Sequence, residues 1–278
     1  MNGCYMNFGR LVGAISRRLR SIPHYLNWLF PYGLSKKNKN GLLQFKDIHL
    51  GKRCFIIANG PSLKNMDLTL LQNEITIGMN RIYLMEKVNG VRPNYIVSID
   101  IPRQLEQFKE EYDSLLITKF FNWEARKLFT SKENLFFIYS RYSRKFGKDI
   151  VKERIGNSLS VTYACLHIAY YMGFEKVYLI GKDHSYDTGG VVNKRMIQSS
   201  GNETNHFIDG YYTKGMKWGM PNYSVEEKTY ELAKKAFELD GRKIFDATID
   251  GKLQIFEKVD YYSLFESEDN DKSNNESY

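Results

Sequence analysis

The sequence predicts an α/β protein, with a mostly parallel sheet, helices on both faces and a long lid-like loop. Three observations carry this. Short apolar runs such as CFIIA (54–58) and KVYLI (176–180) each end in a glycine or polar turn, as buried strands do. Segments with apolar residues at helical spacing separate them. The polar clusters fall where the runs end, which in an open parallel sheet is where ligands bind.

The first 46 residues form a basic arm. They contain Arg10, Arg17, Arg18, Arg20, Lys36, Lys37, Lys39 and Lys46 and no acidic residue, so they hold the whole net charge of +8. A nucleic-acid groove would spread that excess over a folded face, so no nucleic-acid partner is expected. Phe8, Leu11, Val12, Ile15 and Leu19 recur at roughly helical spacing until Pro23, and Tyr25, Trp28, Phe30 and Tyr32 follow. A cationic amphipathic helix beside Trp and Tyr suits an anionic membrane surface, and it suits equally a helix packed on its own domain.

The strands expected next are Cys54–Ala58, Ile75–Met79, Tyr95–Ile99, Leu115–Thr118 and Leu135–Tyr139. Asp67–Leu71, Pro102–Tyr112 and Asn122–Phe129 read as helical pieces between them. Ser158–Met172 is a helix with Ser158 or Ser160 as its cap and Gly173 as its stop. The strand Lys176–Ile180 runs into Gly181-Lys182-Asp183-His184. Residues 182–222 carry six glycines and no periodicity, which marks a functional loop. Val225–Leu239 is an amphipathic helix, and Lys243–Asp246 is the last strand. The chain thus divides into the arm (1–46), a body (47–265) and an acidic tail (266–278).

Cys4, Cys54 and Cys165 are far apart and odd in number, which excludes a disulfide scaffold and a cysteine zinc site. No apolar run approaches the roughly 20 residues that span a bilayer. The expected location is therefore cytoplasmic, with peripheral attachment to the inner face of the membrane through the arm.

Asn59-Gly60-Pro61-Ser62, Asn80-Arg81, Asp100 and Asp183-His184-Ser185-Tyr186 all end strands, so one crevice would collect them. The first turn offers exposed N–H groups and Asn and Ser side chains to an anion or a ribose. Arg81 suits a phosphate or a sugar carboxylate. His184 and His206 are the two candidate general bases. Asp100 and Asp183 would be a Mg²⁺ pair if the ligand were a triphosphate, or would bond loop amides. Tyr211, Tyr212 and Trp218 either stack on a ligand or pack the loop.

FIIANGPSL (55–63), TIGMNRIYL (76–84), PNYIVSID (93–100) and SLSVTYACLHIAYYMGFEKVYLIGKDHSY (158–186) resemble the MptE-like family. That family is named for an archaeal 6-hydroxymethylpterin diphosphokinase and includes bacterial members of surface-polysaccharide loci. The same elements are similar to those of bacterial sialyltransferases that use CMP-sialic acid and of flagellin nonulosonate transferases. The resemblance implies a modified Rossmann-like sheet and a nucleotide site formed by Asn59, Asn80 and Ser158 or Ser160. It also implies that Tyr186 stabilises a departing phosphate and that the base is a histidine of the later loop. His206 matches the start of that segment, but the base position itself falls on Gly210.

The leading expectation is a glycosyltransferase without a cofactor. It would move a sugar, such as a nonulosonate, from a CMP-type donor to a glycan or lipid-linked acceptor. A 6-hydroxymethyl-dihydropterin diphosphokinase using ATP and Mg²⁺ is the alternative, and a non-catalytic nucleotide-binding subunit is the third.

Overall fold

The computed structural model describes residues 8–130, 133–157, 160–186, 196–199, 201 and 204–266, with the backbone alone described at 8–15, 17 and 196–198. The central sheet has eight strands: β1 (Arg53–Ile57), β2 (Thr76–Met79), β3 (Tyr95–Ser98), β4 (Thr118–Asn122), β5 (Leu135–Ile138), β8 (Lys176–Ile180), β11 (Lys243–Asp246) and β12 (Glu257–Lys258). Short pairs β6 (Ser140–Arg141) with β7 (Ile155–Gly156), and β9 (Met196–Gln198) with β10 (Lys217–Gly219), lie outside it. The helices are α1 (Phe8–Leu29), α2 (Leu34–Leu43), α3 (Met85–Asn89), α4 (Lys109–Ser114), α5 (Val161–Tyr171) and α6 (Tyr223–Leu239).

The strand order is β12-β11-β8-β1-β2-β3-β4-β5, and every pairing within this sheet is parallel. The chain builds outward from β1 to β5, then returns to lay β8 on the other side of β1. The order therefore reverses between β1 and β8, and a crevice opens beyond the strand ends at such a point.

Apolar rings cover both faces. Successive strand residues point to opposite sides. Phe120 meets Phe45, just after α2, at 5.0 Å, whereas Phe121 meets Tyr112 of α4 at 5.1 Å. α5 packs over β1, β2 and β3. Its ten residues from Thr162 to Tyr171 are all buried, so it is apolar all round rather than amphipathic.

Several elements differ from the sequence expectations. α1 continues through Pro23 to Leu29. Residues 24–46 join the body, since Trp28, Leu42 and Phe45 are buried in its core. The apolar run Leu115–Ile117 precedes β4, and the strand itself is TKFFN, with Lys119 buried. The Lys119 ammonium bonds back to the Leu115 carbonyl, which lets a lysine occupy a strand interior. Within 122–129 only Trp123–Ala125 forms a helical turn, which Asn122 caps by accepting from the Glu124 N–H at 3.1 Å. The long loop contains the β9–β10 hairpin. The tail from 267 and the stretch 187–195 lie outside the described residues.

Candidate active site

A crevice of about 1830 Å³ opens beyond the carboxyl ends of β1, β2, β3, β4 and β8. Asn59, Gly60, Asn80, Asp100, Ser160, Asp183, His184, Tyr186 and His206 all line it. The sequence-predicted residues thus meet in one hollow, with the exceptions of Pro61, Ser62 and Arg81. Ser158 lies outside the described residues.

The turn after β1 is clamped to the loop after β8. The Ser62 N–H and Oγ donate to the two Asp183 carboxylate oxygens at 3.0 and 2.9 Å. The Gly60 N–H donates to the Gly181 carbonyl at 2.9 Å. A Cβ at Gly60 would lie 1.7 Å from Asp183 Oδ2 and 2.5 Å from the Gly181 oxygen. The glycine is therefore demanded by loop-on-loop contact. Ser62 and Asp183 serve as structure here, fixing the floor on which Asn59 stands.

Asn59 donates its side-chain amide to the Met79 carbonyl at 3.0 Å, and its backbone carbonyl accepts from the Phe207 N–H at 3.0 Å. Its side-chain Oδ1 is buried without a partner. Such an acceptor is costly to leave unpaired, so it marks a place where a ligand donor fits. Asn80 sits at φ 50°, a left-handed conformation that asparagine tolerates. Its Oδ1 accepts from Ser98 Oγ at 3.1 Å, which orients its amide on the crevice wall.

Asp100 accepts from the Arg103 N–H at 3.3 Å and pairs with the Arg103 guanidinium. Burial raises its pKa, against the opposing pull of Arg103. With Asp183 engaged by Ser62 and Asp100 by Arg103, the two carboxylates do not fit a Mg²⁺ bound between them. Among the described residues no cluster of three His, Cys, Asp or Glu side chains is arranged to hold a metal.

His184, also in the left-handed region at φ 54°, places Nε2 3.0 Å from Glu227 Oε1 and packs its ring 4.3 Å from Tyr223. A carboxylate accepts, so Nε2 carries the proton and Nδ1 is the bare nitrogen. That Nδ1 is buried and unpartnered. Burial lowers the pKa of the ring, more than the Glu227 bond raises it, so the imidazole is neutral at neutral pH.

Behind it runs a buried chain of polar groups. Ser160 Oγ lies 2.8 Å from the Tyr230 hydroxyl, which donates to Glu226 Oε2 at 3.2 Å, and the same oxygen accepts from Lys182 Nζ at 2.9 Å. Glu226 holds the Lys182 ammonium charged despite its burial, and the lysine pKa is raised. Ser160 stands at the N-cap position of α5, but its hydroxyl goes to Tyr230 and makes no capping bond.

The later loop closes one side. His206 stacks flat on Tyr211 at 3.9 Å, and Tyr212 accepts from Gln104 Nε2 at 2.6 Å. Tyr186 stacks on Trp218 at 5.5 Å. Tyr211 and Tyr212 are buried, so their rings pack the loop. Arg81 is buried beneath it. Its guanidinium reaches Glu111 at 3.1 Å and the Tyr211 carbonyl, and lies 3.9 Å over the Phe108 ring. These contacts tie β2 to the loop and leave Arg81 outside the crevice wall.

Glu226, Glu227, Lys182 and Tyr230 are the polar residues that sequence reasoning missed. Glu226 sits in the first turn of α6, where acids are ordinary helix-start residues, and Glu227 follows it. Only Lys182, inside the Gly181–His184 turn, carried a signal.

A parallel sheet whose strand order reverses beside a polar crevice defines a Rossmann-like α/β protein. A model of the family described as 6-hydroxymethylpterin diphosphokinase MptE-like matches residues 30–189, and the chain belongs to that family. Among solved structures it is similar to the MAf glycosyltransferase from Magnetospirillum magneticum AMB-1, at 15% identity and a TM-score of 0.50. That match covers 94% of this chain and 45% of the other, so the chain spans under half of that protein's length. The sialyltransferase CstII from Campylobacter jejuni, solved with the substrate analogue cytidine-5'-monophosphate, matches at 15% identity and a TM-score of 0.36, over 76% of this chain and 85% of that one. The likeness to the MAf protein concerns the fold. No curated protein matches the chain.

Proposed function

We propose that this protein is a glycosyltransferase that moves a sugar from a nucleotide donor to a hydroxyl of a glycan. The observation that carries this is the pair of buried, unpartnered acceptors, Asn59 Oδ1 and His184 Nδ1, on the wall of one switch-point crevice. The shared fold of the MAf protein, a glycosyltransferase by description, supports the same class. The sequence motifs favour a CMP-activated nonulosonate as donor.

In this reading Asn59 and Asn80 hold the nucleotide, and Ser160 borders it at the start of α5. The acceptor oxygen attacks the anomeric carbon while the bond from that carbon to the phosphate oxygen breaks. His184 Nδ1 takes the acceptor proton and Glu227 stabilises the imidazolium. CMP leaves with the bonding pair, and Tyr186 donates to its phosphate. His206 is the competing base, but its ring is stacked on Tyr211.

The family description favours a second reading, pyrophosphoryl transfer from ATP to a hydroxymethylpterin. It calls for Mg²⁺ on Asp100 and Asp183, whose oxygens are already engaged. A thermal-shift screen separates the two readings, since a ligand that binds only the folded state raises its stability. CMP and a CMP-sugar are expected to raise Tm more than ATP with Mg²⁺. A larger rise with ATP that chelation abolishes would establish the kinase reading instead.

A further inference from the structure

The described side chains of α1 meet the body along one side. Trp28 packs against Trp123 at 5.7 Å and Tyr139 at 5.9 Å, Tyr25 stacks on Tyr139 at 5.9 Å, and Arg126 donates to His24 Nδ1 at 2.6 Å. The ammonium of Lys39 lies 4.6 Å over the Trp28 ring. A helix docked this way normally turns polar residues outward. This one turns out Leu19, Ile22, Leu26 and Leu29, which recur every three or four residues and so share a face. Their exposures are 60, 47, 48 and 43%. Phe30 and Tyr32, just past the helix end, are more than 70% exposed.

Charge completes the pattern. Arg18 and Arg20 are exposed beside the apolar stripe, Lys36 and Lys37 are exposed on α2, and residues 1–46 contain no acid. A second copy of the chain laid symmetrically on this face would set like charges against each other. An anionic lipid surface complements both the stripe and the charge. α1 is not apolar enough to cross a bilayer, and neither is any other described helix.

We propose that α1 docks this protein flat on anionic bilayers through Leu19, Ile22, Leu26 and Leu29, with Arg18 and Arg20 at the headgroups. The docking also sets where the crevice lies. Trp123 and Tyr139 directly follow β4 and β5, at the end of the sheet where the crevice opens, and the neighbouring Asn122 and Tyr142 line it. The β4 side of the site is thereby held next to the lipid surface. If the transferase reading holds, the acceptor is lipid-borne; the docking itself does not depend on that reading.

The test is flotation of the full chain with vesicles of phosphatidylcholine alone or mixed with phosphatidylglycerol, read without any activity assay. The expected result is binding to the phosphatidylglycerol vesicles that weakens as salt rises. Leu19→Gln with Leu26→Gln should reduce it at least about ten-fold, with Tm little changed because neither side chain belongs to the buried core. Arg18→Glu with Arg20→Glu should reduce it as well. No binding by the wild-type chain, or undiminished binding by both variants, would overturn the proposal. So would a wild-type dimer in light scattering that the leucine variants dissociate.

Discussion

His184 occupies a left-handed backbone position at φ 54°, where a non-glycine residue costs about 1 kcal/mol or more. The loop keeps it there among the residues that line the crevice, with Nε2 on Glu227 and Nδ1 buried without a partner. Strain at a residue that also has an unpaired ring nitrogen suits a general base. On that reading, His184→Ala should lower transfer by about 10²–10⁴-fold and leave nucleotide affinity within a few-fold. Glu227→Ala should cost less, because the histidine remains but loses its orienting acceptor. Since burial lowers the His184 pKa below 6.5, the active neutral form fills before neutrality is reached. The rate should fall on the acid side of pH 6.5 and be flat above pH 7. Initial rates against pH for the three proteins check this, and a full rate in His184→Ala would move the role to His206. The strand-end position of His184 is visible in the sequence. Glu227 is not, because 43 residues separate the two and only the docking of α6 brings them together.

Strands whose apolar runs end in a polar turn are readable from the sequence alone, and β1, β2, β3, β5, β8 and β11 lie within a residue of their expected bounds. β4 is not readable in this way, because its buried Lys119 and Asn122 disguise a core strand, while the exposed Leu116 beside it mimics one. α2 is concealed by its asparagines and lysines; its support comes from tertiary contacts, such as Asn38 bonding both the N–H and the carbonyl of Phe137 at 2.8 Å. The same kind of long-range polar contact joins α5, α6 and the loop after β8. There Lys182 and Glu226 form an ion pair with side-chain exposures of 12 and 5%. Removing one member of such a pair leaves an uncompensated charge, so Glu226→Gln should destabilise the fold by about 3–5 kcal/mol. Adding Lys182→Met to that variant should recover part of the loss. Urea unfolding of the two variants measures both effects, and equal stability of the single variant and wild type would show that the pair carries no structural weight.

At the scale of the whole molecule, a buried histidine outside the crevice lining couples stability to pH. His167 lies inside α5, fully buried, with its ring stacked 4.3 Å from Phe146 and Nδ1 2.7 Å from the Gly147 carbonyl. The carbonyl accepts, so Nδ1 carries the proton, and Nε2 is left buried without a partner. Burial pushes the pKa of this histidine from 6.5 down to about 4. In the unfolded chain the ring protonates at its ordinary value, so below pH 6.5 the unfolded state binds the extra proton and the folded state does not. Stability is therefore complete above pH 6.5, falls as the pH drops toward 4, and levels off below that for this group. A shift of this size corresponds to about 3 kcal/mol. His167→Asn keeps a donor for the Gly147 carbonyl and cannot take up a proton. Its unfolding free energy should be lower than that of wild type at pH 7, through the smaller side chain, yet should fall less steeply than that of wild type between pH 6.5 and 4.5. Chemical denaturation at intervals through that window compares the two slopes. Parallel slopes would mean that His167 takes no part in the acid sensitivity of the fold.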